Sequence, residues 1–175
     1  MKNKICIYIF FQFLIFNFSF SDVIEKIKIN GNNRVSNETV IMFSNLKIGD
    51  DIDKDDLNDS LKEIYLTDYF KDVKISFSEG IVNINVQENP IVKSVTINGI
   101  KKKNINEKIS EITSKIEKYP FVENKINNQV KLLKNILKSF GYYFVELQTS
   151  INSNDDNTVN LVFDFNLGDI AKIKK

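Results

Sequence analysis

The amino-acid sequence predicts an α+β fold in which one small strand-helix-helix-strand-strand unit occurs twice in tandem, and three observations carry that expectation. Ile27-Lys28-Ile29-Asn30-Gly31 recurs as Val95-Thr96-Ile97-Asn98-Gly99, each after an apolar-polar alternation that begins at Val23 or Ile91. Two stretches with apolar residues at helical spacing follow each copy, and two runs of period-2 alternation close it. A pentapeptide shared by chance in a chain rich in Ile, Lys and Asn would not bring the other elements along in the same order.

The two copies of the shared pentapeptide read as strands ending in a tight turn, where Asn-Gly supplies the pair most tolerant of positive φ. Ser36 is placed to cap a helix through Val40, Ile41 and Phe43 to about Asn45, and Asn106 to cap its counterpart carrying Ile109, Ile112 and Ile116. A second helix begins at Asp53, with Asp55 and Asp56 where the helix dipole favours negative charge, and with Leu57, Leu61, Ile64 and Tyr65 on one face. Its partner carries Ile126, Val130, Leu133, Leu137 and Phe140.

Alternation at Val73, Ile75 and Phe77 turns at Glu79-Gly80 and returns through Val82, Ile84 and Val86, the pattern of a β-hairpin. In the second unit Val145, Leu147 and Thr149 run to a longer polar turn from Asn152 to Asn157, and Val159, Leu161 and Phe163 come back. Each unit therefore has two helices to lay over one face of a three-stranded sheet. Tyr69-Phe70 and Tyr142-Tyr143, just beyond the helices, are expected to close the core between helix and sheet.

The amino terminus sets the compartment. Lys2 and Lys4 precede an apolar stretch from Ile5 to Phe20, and the small residues Ser19 and Ser21 flank Phe20 before the polar sequence opens at Asp22. This is the layout of a signal peptide over residues 1–21, cut between Ser21 and Asp22. A membrane-spanning helix needs about 20 apolar residues, and this stretch is shorter and interrupted by Gln12 and Asn17. The first repeat then occupies residues 22–90 and the second 91–168, with Pro90 and Gly168 punctuating their ends. Residues 169–175 repeat the apolar-basic texture of Ile91-Val92-Lys93 and read as the start of a third unit.

Composition excludes several functions. The single cysteine, Cys6, leaves with the leader, and the chain has no histidine, so Ser-His-Asp, Cys-His and most transition-metal sites are ruled out. No enzyme activity and no cofactor are expected. The 24 basic residues, less Lys2 and Lys4, nearly balance 23 acidic ones, which gives no footprint for nucleic acid. The acidic group Asp50, Asp51, Asp53, Asp55 and Asp56 lacks the spacing and central glycine of a calcium loop and reads as a solvated helix start, and Asp155-Asp156 as a turn; no metal is expected. Lys101-Lys102-Lys103 reads as a solvated loop.

These residues resemble the POTRA repeats of outer-membrane protein assembly factors of the BamA family. The first repeat carries the resemblance through Ile27-x-Ile29-x-Gly31-Asn32-x-Arg34-Val35 with Thr39-Val40, through Leu61, Tyr65 and Tyr69-Phe70-x-Asp72-Val73, and through Val86-x-Glu88-Asn89-Pro90-Ile91 at the repeat junction. The second carries it through Gly141-Tyr142-Tyr143, Leu161-Val162-Phe163-Asp164 ahead of Gly168, and Lys172-Ile173, and departs from it at Ile100, where Asn is expected after Gly99. Two-partner secretion transporters, the translocation and assembly module and division-complex scaffolds carry similar repeats and stand as the alternative.

The resemblance implies a mixed sheet with the first strand beside the third, leaving the second strand as an edge with unpaired backbone groups. Unfolded β-barrel precursors could add to such an edge. Candidate edges are Asp72, Val73, Lys74, Ile75, Ser76 and Phe77 in the first repeat, and Phe144, Val145, Glu146, Leu147, Gln148 and Thr149 in the second. The implied setting is the periplasmic face of the outer membrane, with a barrel outside this chain and accessory assembly proteins as further partners.

Overall fold

The computed structural model describes residues 23–171. The expected leader, its cut at Ser21-Asp22, and Lys172-Ile173 lie outside them. In chain order the elements are β1 (Lys26–Asn30), α1 (Asn37–Ser44), α2 (Lys54–Leu66), β2 (Phe70–Ser78), β3 (Ile81–Glu88), β4 (Ile91–Asn98), α3 (Lys103–Thr113), a 3₁₀ turn (Ser114–Ile116), α4 (Glu123–Ser139), β5 (Glu146–Ser153) and β6 (Thr158–Asn166). They form two three-stranded sheets of order β1-β3-β2 and β4-β6-β5. The central strand of each pairs parallel with the first and antiparallel with the second. The expected α+β architecture is the observed one.

Each unit has its own core. The first gathers Ile24, Val40, Ile64, Phe70, Val82 and Ile84, and the second Val92, Ile109, Leu133, Leu137, Leu161 and Phe163, all nearly or fully removed from water. The helical stripes read from the sequence supply the cover. Ser36 caps α1, its hydroxyl accepting the Thr39 N–H. Asp53 caps α2 by accepting from Asp55 and Asp56 N–H, while the Asp56 carboxylate accepts the Asp53 N–H in return. Asp50 accepts the Lys47 N–H, so three of the five clustered aspartates serve local turns and caps.

Several expectations need correction. Asn106 does not cap α3, which starts at Lys103 behind Lys102 with no side-chain cap; burial of Ile105 in the core pulls the helix start forward. Asn106 instead donates to the Ile100 carbonyl and accepts from the Ser110 hydroxyl. The turn expected at 152–157 begins at Asn154, whose N–H bonds to the Thr158 carbonyl, so β5 runs on to Ser153. Each aromatic pair contributes one core ring: Phe70 and Tyr142 are buried, while Tyr69 stacks on Phe43 at the surface and Tyr143 is exposed. Phe140, expected on the apolar face of α4, caps its end half-exposed.

The Asn-Gly repeat has a stricter cause than turn geometry. Gly31 and Gly99 both adopt positive φ, +87° and +86°, and a Cβ would stand 2.0 Å from the Val86 carbonyl oxygen at the first and 1.8 Å from that of Phe165 at the second. In both units the chain leaving the first strand thus passes against the backbone of the central strand. The preceding asparagines bond across the same pair of strands, Asn30 to Asn85 and Asn98 to Asp164. Replacing Gly31 or Gly99 by Ala should cost about 3 kcal/mol or more. Gly49→Ala, at φ +94° with nothing near the added atom, should cost only about 1–2 kcal/mol of backbone strain. Urea unfolding of the three variants measures the difference.

Candidate functional site

The features available for recognition are strand edges and the junction between the units. The two-residue loop Glu79-Gly80 makes Ser78 and Ile81 its closing pair. Hydrogen-bonded and open residues alternate along an antiparallel strand, so Val73, Ile75 and Phe77 turn their backbone groups away from β3. The same count from the Asn154–Thr158 bond turns Leu147, Thr149, Ile151 and Ser153 away from β6.

The structure thus places the six expected residues of the first edge, Asp72 to Phe77, on β2, an outer strand. Part of that edge is occupied. The Tyr65 hydroxyl at the end of α2 accepts the Val73 N–H at 3.2 Å, and Lys74 pairs with Asp72 at 3.6 Å. In the second unit Glu146, Leu147, Gln148 and Thr149 lie on β5, whereas Phe144 and Val145 precede it; Val145 turns into the core and Phe144 is 78% exposed. The open edge is displaced toward Ser153.

The opposite edge of each sheet is partly closed. Outside β4, Val92 exchanges hydrogen bonds with the 118–119 segment, and the Glu117 carboxylate accepts the Val95 N–H. Outside β1, Ile24 bonds to Asp50 and Gly49, and the strand beyond it is short.

At the junction, three successive residues tie three different segments. Glu88 ends β3 with its side chain 2% exposed, and its Oε1 accepts the N–H groups of Asn33, Arg34 and Val35 at 2.8, 2.8 and 3.0 Å. Asn89 bonds through its N–H to the Tyr69 carbonyl and through its amide to the Asp68 carbonyl. The Pro90 carbonyl accepts the Phe121 N–H of the second unit. Lys125 adds an ion pair from α4 to Asp68.

Arg34 joins these elements. Its Nε lies 3.2 Å from Glu88 Oε2, an ionic contact too poorly aligned to be a hydrogen bond. Its two outer nitrogens donate to the Asn89 carbonyl at 2.6 Å and to the Asn157 carbonyl in the β5–β6 turn at 2.9 Å. Sequence reading picked out Arg34 and Glu88 separately without joining them, and missed Tyr65 as an edge cap. The Arg-Glu pair is signalled by opposite charges at the carboxyl ends of two strands that pair in parallel.

Burial alone would raise the pKa of Glu88; the three N–H groups and the Arg34 charge outweigh it and hold the carboxyl below its ordinary 4.5. In the second unit a basic residue, Lys102, stands where Arg34 does, but the buried carboxylate has no counterpart. Counting from the shared glycines and the paired Asn85 and Asp164, Leu167 stands where Glu88 does and Ile100 where Asn32 does, and both pack into the core.

This is the architecture of tandem α+β modules joined without a linker. The chain belongs to the POTRA family: the family model, described as a surface antigen variable number repeat, matches residues 23–89 and again 90–168. Among curated relatives, the outer membrane protein assembly factor BamA of Neorickettsia risticii is 35% identical over 85 residues, covering 49% of this chain and 12% of the relative. That of Neisseria meningitidis serogroup B is 25% identical over 157 residues, covering 86% and 19%. The chain thus spans less than a fifth of the length of these relatives. Of solved structures, the N-terminal domain of Omp85 from Thermosynechococcus elongatus aligns with a TM-score of 0.57 at 16% identity, over 81% of this chain and 61% of that one, and shares the fold.

Because the folded pKa of Glu88 is lowered, its contribution to stability is complete above about pH 4.5 and is lost as pH falls through the lowered value. Glu88→Gln should destabilise the chain by about 1–3 kcal/mol at pH 7. The gap between wild type and variant should narrow as pH drops below 4.5, as read by denaturant unfolding at each pH.

Proposed function

We propose that this chain is the periplasmic repeat region of an outer-membrane protein assembly factor. It binds unfolded β-barrel precursors by pairing their extended segments with open strand edges, and it docks accessory assembly proteins. The observation that carries the reading is the pair of outer strands β2 and β5 with outward backbone groups, set in a chain whose relatives are named as assembly factors.

Backbone pairing suits the task. A factor that serves many precursors needs affinity that does not depend on one side-chain sequence, and main-chain hydrogen bonds supply it. The reading makes the chain a non-catalytic binding scaffold on the periplasmic face of the outer membrane. Insertion into the membrane would fall to parts of such a protein outside this chain, since the relatives are several times longer.

Proline offers a clean test, because Ile75 and Leu147 direct their N–H groups away from the ladder, where proline removes an outward donor and spares the sheet. Crosslinking of nascent precursors in cells should fall several-fold in an Ile75→Pro, Leu147→Pro double variant. Full crosslinking by a folded double variant would overturn the reading. Mass spectrometry of the exported protein should find Asp22 as its first residue, and a retained leader would contradict the export step.

A further inference from the structure

We propose that the two outer edges are unequal, and that β5 from Leu147 to Ser153 is the principal acceptor of an extended, uncharged segment of another polypeptide with apolar residues at alternate positions. This rests on the strand-addition reading above and specifies which edge performs it and for what kind of segment.

Natural sheets defend their edges with charge, especially lysine, with short strands, or with covering groups. β2 shows two of these devices: Lys71, Asp72 and Lys74 line its first half, and the Tyr65 hydroxyl takes the Val73 N–H. The position matching Tyr65 in the second unit, counted from the buried Ile64 and Leu137, is Lys138, which has no hydroxyl to offer.

Glu146 opens β5 with a charge, and beyond it, among the described residues, the strand has no such defence. Leu147-Gln148-Thr149-Ser150-Ile151-Asn152-Ser153 carries no charge, and no side chain bonds to its outward backbone groups. The outward residues Leu147, Thr149, Ile151 and Ser153 recur every second position, about 6.8 Å apart, the spacing an added β-strand presents.

The side chains select among added strands. Leu147, Thr149 and Ile151 share one face of the sheet, Leu147 packed against the core and Ile151 45% exposed beyond it. An added strand whose alternate residues are apolar would cover that flank of Leu147 and Ile151. Its remaining side chains would face water beside Gln148, Ser150 and Asn152. A strand rich in charge would gain nothing from this uncharged flank.

The test uses a blocked decapeptide of alternating Val and Thr carrying a photoreactive group, with binding followed by fluorescence anisotropy. Thr149→Pro, whose N–H faces outward, should weaken binding about tenfold, and Ile75→Pro less than about twofold. Photocrosslinks on the unmodified chain, mapped by mass spectrometry, should fall on residues 146–153. This arm does not depend on any variant folding. Tyr65→Phe, which frees the Val73 N–H, should bring additional crosslinks to β2.

Binding lost in Ile75→Pro and retained in Thr149→Pro, with crosslinks on β2, would overturn the assignment to β5 while leaving strand addition intact. If neither proline nor any crosslink touches an edge, strand addition itself falls. A concentration-dependent dimer in sedimentation velocity, abolished by Thr149→Pro without peptide, would make a second copy the occupant and refute the proposed one.

Discussion

The parallel pairing of the first strand with the third governs each unit. Lys26 meets Ile81 and Ile91 meets Thr158, so nothing can pair with the first strand until both helices and the second strand have been laid down. The helices must cross one face of the sheet to return the chain, which is why their apolar stripes have a surface to cover. The second strand can pair on one side only, and an outward edge is a consequence of the topology rather than an accident of sequence. The same pairing brings the turn after the first strand against the backbone of the central one, and glycine is the residue that fits there.

The central strand also carries the fold of one unit into the next. β3 ends at Glu88 and only Asn89 and Pro90 separate it from β4, so its carboxylate is buried where the first unit closes and the second opens. A buried charge is tolerated when it is hydrogen-bonded and paired, and here three N–H groups of the 33–35 loop bind one oxygen while the Arg34 charge stands beside the other, which accepts no hydrogen bond. Arg34 spends its remaining donors on Asn89 and on Asn157 of the second unit, tying the closure of one unit to the placement of the other. In the second unit Leu167 and Ile100 close the corresponding gap with apolar packing. The two solutions differ in kind: apolar packing is tolerant of small shifts, whereas three N–H groups on one carboxylate oxygen fix position and orientation together.

Periodicity made the elements legible because the same physics acts locally in sequence and structure. The stripes of α2 and α4, the Glu79-Gly80 hairpin and the Asp53 cap depend on neighbours within a few residues. The α3 start was misplaced because Asn106 has the right chemistry for a cap, while Ile105 has the stronger demand for burial. The recurrence of Asn-Gly was visible, yet its reason was not, since the clash it avoids is with a carbonyl more than fifty residues away. Arg34 with Glu88, and Tyr65 with Val73, were each visible as residues and invisible as pairs; a three-dimensional crossing joins them.

The repeat hides a division of labour that its sequence similarity obscures. Duplication delivers two outer strands with the same topology, yet each unit has been elaborated around a different end. The first unit spends its polar side chains inward and on its own edge: Glu88 and Arg34 at the junction, Tyr65 and Lys74 along β2. The second closes its core with Leu167 and Ile100 and leaves β5 uncharged beyond Glu146. An exposed, uncharged edge carries a standing risk of unwanted pairing, which ordinary soluble domains suppress. Blunting β2 while β5 stays open beyond Glu146 makes the two outer strands chemically unequal, and Arg34 ties the β5–β6 turn of the second unit to the end of the first.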